Sequence, residues 1–197
     1  MSYYWGNKDT SINFCEEAYK ENKYIAEYYN TLSGAIYILV GLPFLNTKVQ
    51  NIAISCIFLG TGTILLHMTQ RRYGQLLDES SMLFLCYSML CKIRCKTYKE
   101  KYFAPILIFY ILKHDNFLIF FGLFTSLILL LVYESLKIKN KKNKLYRNLF
   151  LSNMTLGTIF WLCDQTLCVY VQSYQLHALW HITTSVSIFS GLKLLQI

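Results

Sequence analysis

Two histidines four residues apart, His177 and His181 in QLHALWHITTSVSIF, stand in an apolar stretch long enough to cross a bilayer. Imidazoles are costly in hydrocarbon and mark a task there. Positions i and i+4 share a helix face, so both rings can reach one atom. A third imidazole, His67 in GTILLHMTQ, closes a different apolar stretch. Three histidines from two helices suit an open zinc site, whose fourth position is left to a water with its pKa lowered to about 7. Such a site performs hydrolysis. Taken alone, the pair has a second reading as hydrogen-bonded core histidines. Asp78 and Glu79, in YGQLLDESSM, open the next apolar stretch. A carboxylate beside the attacking water can serve as general base, the role assigned to Asp78. Thr63, four residues before His67, can orient the water, steady an oxyanion, or bond its own helix backbone. His114, in the loop Lys113-His114-Asp115, reads as a surface histidine.

These side chains need elements that hold them at one depth. Of the 197 residues 54% are hydrophobic and 16% aromatic, with 2 prolines, the composition of one integral membrane domain covering 1–197. A polar segment, 1–27, precedes apolar runs near 28–46, 51–70, 78–95, 102–113, 116–136, 147–168 and 175–196. The fold expected is an all-α polytopic bundle of seven transmembrane helices within 28–196, the fourth only about 12 residues long against the ~20 of a usual span. The net charge of +8 lies in short runs between apolar segments, as loop charge at a membrane and not a nucleic-acid footprint. With the N terminus outside and the C terminus cytosolic, 13 of the 19 basic residues fall on the cytosolic side, as the positive-inside rule prefers. That topology puts His67, His177 and His181 in one leaflet. No cleavable signal peptide is visible. Cys56, Cys86, Cys91 and Cys95, in or beside apolar helices, read as packing residues. Helices one, four and five show neither facing charges nor a broken midplane pair, which argues against a transporter or channel.

The order and spacing of six pieces, YYWGNKDTSINFCEEAY, YIAEYYNTLS, GTGTILLHMT, QLLDESSM, FWLCDQTLC and HALWHI, resemble the alkaline ceramidases, intramembrane zinc amidases of the superfamily that includes the adiponectin receptors. The resemblance runs nearly end to end. It implies hydrolysis of ceramide within the bilayer to a sphingoid base and a fatty acid, zinc on His67, His177 and His181, and Asp78 as acid/base. Thr63 stands where these enzymes usually have serine. A calcium site is implied at Asn13, Phe14 through its carbonyl, Glu16 and Glu27, depleted because Asn13 replaces the usual aspartate and Ala18 the usual asparagine. Glu17 or Glu21 can substitute, and a solvated acidic face is the other reading. A disulfide between Cys15 and Cys168 is implied in an oxidising lumen. Asp164 and Gln165 are expected to bond the substrate head, to support the metal ligands, or to join helices. The resemblance implies the endoplasmic reticulum or Golgi membrane, and no obligatory protein partner is evident in the sequence. The alternative function is a lipid-binding receptor with little turnover, against which stands the lack of any soluble regulatory domain in the sequence.

Overall fold

Where water is scarce, the backbone must satisfy its own hydrogen bonds, so apolar runs with few prolines fold as helices. The computed structural model describes residues 4–94, 99–138 and 143–196, and among them every regular element is helical. The α-helices are α1 (Tyr28–Gly41), α2 (Gln50–Thr69), α3 (Arg72–Ile93), α4 (Phe103–Lys113), α5 (Phe117–Leu136), α6 (Lys144–Thr166), α7 (Cys168–Val171) and α8 (Leu176–Gln196). Pro43 lies in the 3-10 turn Leu42–Phe44 that follows α1, and Pro105 in the first turn of α4, where no backbone N–H is needed. Cys56, Cys86 and Cys91 are buried, as expected of packing residues. Cys95, Lys96, Lys139, Lys141 and Lys142 lie outside the described residues.

Each expected helix has a counterpart, with α8 in the place of the seventh, but three boundaries move, the first helix ending at Gly41 instead of near 46. The third helix begins at Arg72 instead of near 78, which puts Asp78 and Glu79 in its second turn. The sixth stops at Thr166 and bends by 109° into Cys168–Tyr174. By length and composition, α2 and α5 are each able to cross a membrane, and α6 with its bent continuation makes a third. The remaining long helices are less apolar for a reason visible in the fold: α3 and α8 bury carboxylates, histidines and hydroxyls on their inner faces. α1 and α4 are simply short, at 14 and 11 residues.

The helices form a ring in which α1 packs on α2 and α8, α2 on α3, α3 on α5, and α8 on α6, with the α5–α6 seam the loosest. Two glycines let α2 and α3 approach closely. A Cβ at Gly62 would come within 2.5 Å of the Asp78 backbone nitrogen, and one at Gly74 within 2.6 Å of that of Leu66. Small residues at such a seam are the usual means of bringing membrane helices together.

The segment before α1 is a strap laced over one end of the ring. Ala26 and Glu27 donate their backbone N–H to the carbonyls of Met68 and His67, bonding the last turn of α2. Asp9 Oδ1 accepts the N–H of Arg72 at the start of α3. Glu16 reaches the start of α1, its two carboxylate oxygens accepting the N–H groups of Tyr29 and Asn30 at 2.8 and 2.9 Å. An acidic side chain at a helix N-terminus also complements the helix dipole.

Candidate metal centre

The close approach of α2 and α3 brings their reactive side chains together. Thr63 Oγ1 stands 2.5 Å from Asp78 Oδ1 and 2.9 Å from its own helix carbonyl, that of Leu59. The expected bond to its own helix backbone is present, Asp78 is a second partner that the sequence did not suggest, and the single hydroxyl proton can go to either. Thr63 and Asp78 are 1% and 7% exposed.

The three histidines converge as their spacing and depth require. One nitrogen from each of His67, His177 and His181 lies within 4.8 Å of the others, and all three residues are buried. Hydrogen bonds at the opposite ring atom set two of the tautomers. Glu27 Oε2 lies 2.5 Å from His67 Nδ1, and an ionised carboxylate can only accept, so the proton sits on Nδ1 and the lone pair on Nε2. That Nε2 is buried and has no hydrogen-bond partner among the described residues. Ser33 donates its hydroxyl proton to the Asn30 carbonyl, at 3.0 Å, and so accepts from His181 Nδ1, at 2.7 Å. His181 Nε2 is left with its lone pair by the same logic. His177 has a buried Nδ1 without a hydrogen-bond partner, 3.9 Å from Asp164 Oδ2. Converging imidazoles with unpartnered buried nitrogens fit zinc, which takes three such ligands in hydrolytic sites.

The strap supplies the lid. The Phe14 ring packs on His67 and His177 at centroid distances of 4.6 and 4.2 Å. Cys15 and Cys168 are joined, with Cα atoms 5.3 Å apart, a separation within the range of a disulfide. Cys15 lies beside the backbone carbonyl of Asp164, and Gln165 Nε2 donates to the carbonyl of Asn13, so the end of α6 is fastened to the strap.

The implied calcium donors come out differently. Glu27 serves His67 with Oε2 and accepts Gln70 Nε2 with Oε1 at 2.6 Å. Glu16 caps α1, Phe14 covers the histidines, and Asn13 Oδ1 accepts Lys8 Nζ at 2.5 Å. An ammonium on a calcium donor, with a neutral amide where a carboxylate is needed, does not fit an ion that requires six to eight oxygens. His114 is near the surface, its Nδ1 bonded to the carbonyl of Ile111, as its loop position suggested.

Sequence reasoning missed Glu27 as the partner of His67 and Ser33 as the partner of His181. It also missed a second buried network beside Asp78, in which Glu79 accepts from Gln75 Nε2 and from Tyr110 of α4, both at 2.7 Å. Asp78, Thr63, His177 and His181 line one end of a cavity of about 520 Å³. Its remaining wall is mainly apolar, interrupted by Glu79 and by Thr125, Thr155, Thr158 and Thr184, and comes mainly from α3, α5 and α6, with Met89, Leu131 and Phe150 among its residues.

The sequence profile of the ceramidase family matches residues 6–197. The alkaline ceramidase of Arabidopsis thaliana is 26% identical over 94% of this chain and 82% of its own length. The mouse (Mus musculus) alkaline ceramidases 1 and 3 are 24% and 25% identical, over 98% and 93% of this chain and 81% of their own length in each case.

Proposed function

The chain belongs to the ceramidase family, and on that premise we propose that it is a zinc-dependent intramembrane amidase cleaving the N-acyl bond of ceramide to a sphingoid base and a fatty acid. It is a hydrolase of a linear amide bond and a membrane protein. The observation that carries the zinc reading is the set of converging histidine nitrogens beside the Thr63–Asp78 pair, at the head of an apolar cavity.

His67, His177 and His181 would hold the zinc, which when bound supplies Lewis acidity and makes water a nucleophile near neutral pH. The protein's own groups handle the proton. Asp78 takes it from the attacking water and returns it to the departing sphingoid nitrogen, the two halves of general acid–base catalysis. While Asp78 is ionised, the Thr63 hydroxyl donates to Oδ1 and leaves Oδ2 for the proton. Once Asp78 is protonated, the hydroxyl can turn to the Leu59 carbonyl, which is already within reach. Thr63 thereby stabilises the ionised carboxylate and keeps a partner of its own when Asp78 is protonated.

The cavity suits a lipid that never leaves the bilayer. The cavity, about 520 Å³ and largely hydrocarbon-lined away from Asp78 and the histidines, would receive one hydrocarbon chain of the substrate. The second chain would leave through the loose α5–α6 seam into lipid. Seven crossings with the N-terminal strap on the lumenal side account for the basic loops on the opposite face and for a disulfide over the site. The endoplasmic reticulum or Golgi membrane is the corresponding location.

Fatty acid release from ceramides of graded acyl length by the purified protein in detergent, beside Asp78→Asn, tests the reading. Turnover in the wild type, reduced about 10³-fold in the variant, is the expected result for loss of an acid–base group. A folded wild type that binds ceramide but releases no fatty acid would instead be a lipid-binding receptor.

A further inference from the structure

Two carboxylates of the N-terminal strap are buried, Glu16 at 7% and Glu27 at 1% exposure. Among the described residues, neither has a lysine or arginine at ion-pair distance. Charges so placed need compensation from nearby. Glu16 is met by the Tyr29 and Asn30 amides, and the strap cation that senses the charge of Glu27 is Lys8. Its side chain is half-buried, and its ammonium donates to Asn13 Oδ1 at 2.5 Å. Burial raises the Glu16 carboxyl above, and lowers the Lys8 ammonium below, the usual range, and the negative charge of Glu27 is felt at both.

Asn13 ties this corner to the rest of the site, because its carbonyl accepts Gln165 Nε2 of α6 at 3.1 Å, next to the Cys15–Cys168 link. The chain continues from Asn13 into Phe14, which covers the histidines, and into Glu16, which caps α1. Whatever neutralises this corner therefore fastens the lid. A calcium ion would do so through an aspartate at position 13, for a net charge of +1 from ion and ligand. Lys8 on a neutral Asn13 gives the same net charge without an ion.

We propose that Lys8 is a tethered counter-ion that holds the acidic strap closed in the place of a divalent cation, so that this protein keeps its folded strap without calcium. The proposal concerns the strap and stands apart from the reaction at the histidines. It is tested by thermal unfolding of the purified full chain in detergent, in EGTA and in millimolar calcium, for wild type, Lys8→Ala, Lys8→Arg and the double variant Lys8→Ala/Asn13→Asp. The wild type and Lys8→Arg are expected to unfold at the same temperature in both solutions. Lys8→Ala should unfold about 2–4 °C lower, and calcium should raise the midpoint of the double variant by about 5 °C. A wild type stabilised by calcium would overturn the proposal. So would a Lys8→Ala protein as stable as wild type together with a double variant that ignores calcium. No turnover is measured, so the outcome does not depend on whether ceramide is hydrolysed.

Discussion

His67 and His181 present Nε2 because Glu27 and Ser33 hold the other ring nitrogen, and the mutational consequences differ between these partners and the ligands themselves. His181→Ala removes a ligand. Glu27→Gln keeps the shape but replaces an accepting carboxylate with an amide, and such partners of metal-bound histidines are worth about 10–100-fold in metal affinity. Zinc competition against a chelator should show that loss for Glu27→Gln and none for Glu16→Gln, which serves α1 instead. At the Thr63–Asp78 pair, Thr63→Ser keeps the hydroxyl and should stay close to wild type in kcat. Thr63→Val removes a hydrogen bond to a charged group and should lower kcat about 10–100-fold. The histidines, Asp78 and Thr63 were legible in the sequence because each pair falls within one helix or across one short turn. Glu27 entered the sequence reading only as a calcium donor, because its contact with His67 spans 40 residues and exists only once the strap folds over α2.

The element that fixes the reacting geometry is the α2–α3 seam, where Gly62 faces the backbone of Asp78 and Gly74 that of Leu66. Gly62→Leu would wedge these helices apart at the level of Thr63. Overpacking of this kind costs about 1–3 kcal/mol, and separation of Thr63 from Asp78 should lower kcat more than it lowers ceramide affinity. Kinetics on the folded variant would show that split. Apolar runs made every long helix legible, and the short α4 as well. The early start of α3 was not legible, because Arg71, Arg72, Tyr73 and Gly74 look like loop. After Arg71 in an extended cap, Arg72, Tyr73 and Gly74 fold as helix because Asp9, 63 residues before Arg72, accepts the first amide, and because only glycine at 74 lets this turn lie against Leu66. Likewise, only a site needing carboxylates and imidazoles explains why α3 and α8 read as weak spans while α2 and α5 read as strong ones.

As a whole, the molecule is a ring of helices around one hydrocarbon-lined cavity, with the polar chemistry at the strap end and Met89 and Phe150 near the other. Asp78 and Met89 are 11 residues apart on α3, about 16 Å at 1.5 Å per residue. The cavity therefore has a definite depth, and Met89→Ala or Phe150→Ala should shift the preferred acyl chain to longer lengths without changing the optimal head group. A panel of ceramides differing only in acyl length would show the shift. The most direct measurement of the central claim is fatty acid release by the purified protein before zinc removal, after it, and after zinc is returned, with the metal content assayed at each stage and His181→Ala alongside. Activity that falls with the zinc, recovers with it and is absent from a folded His181→Ala protein is the predicted result. Ceramide cleavage that persists undiminished in zinc-free protein, or in His181→Ala, would contradict it.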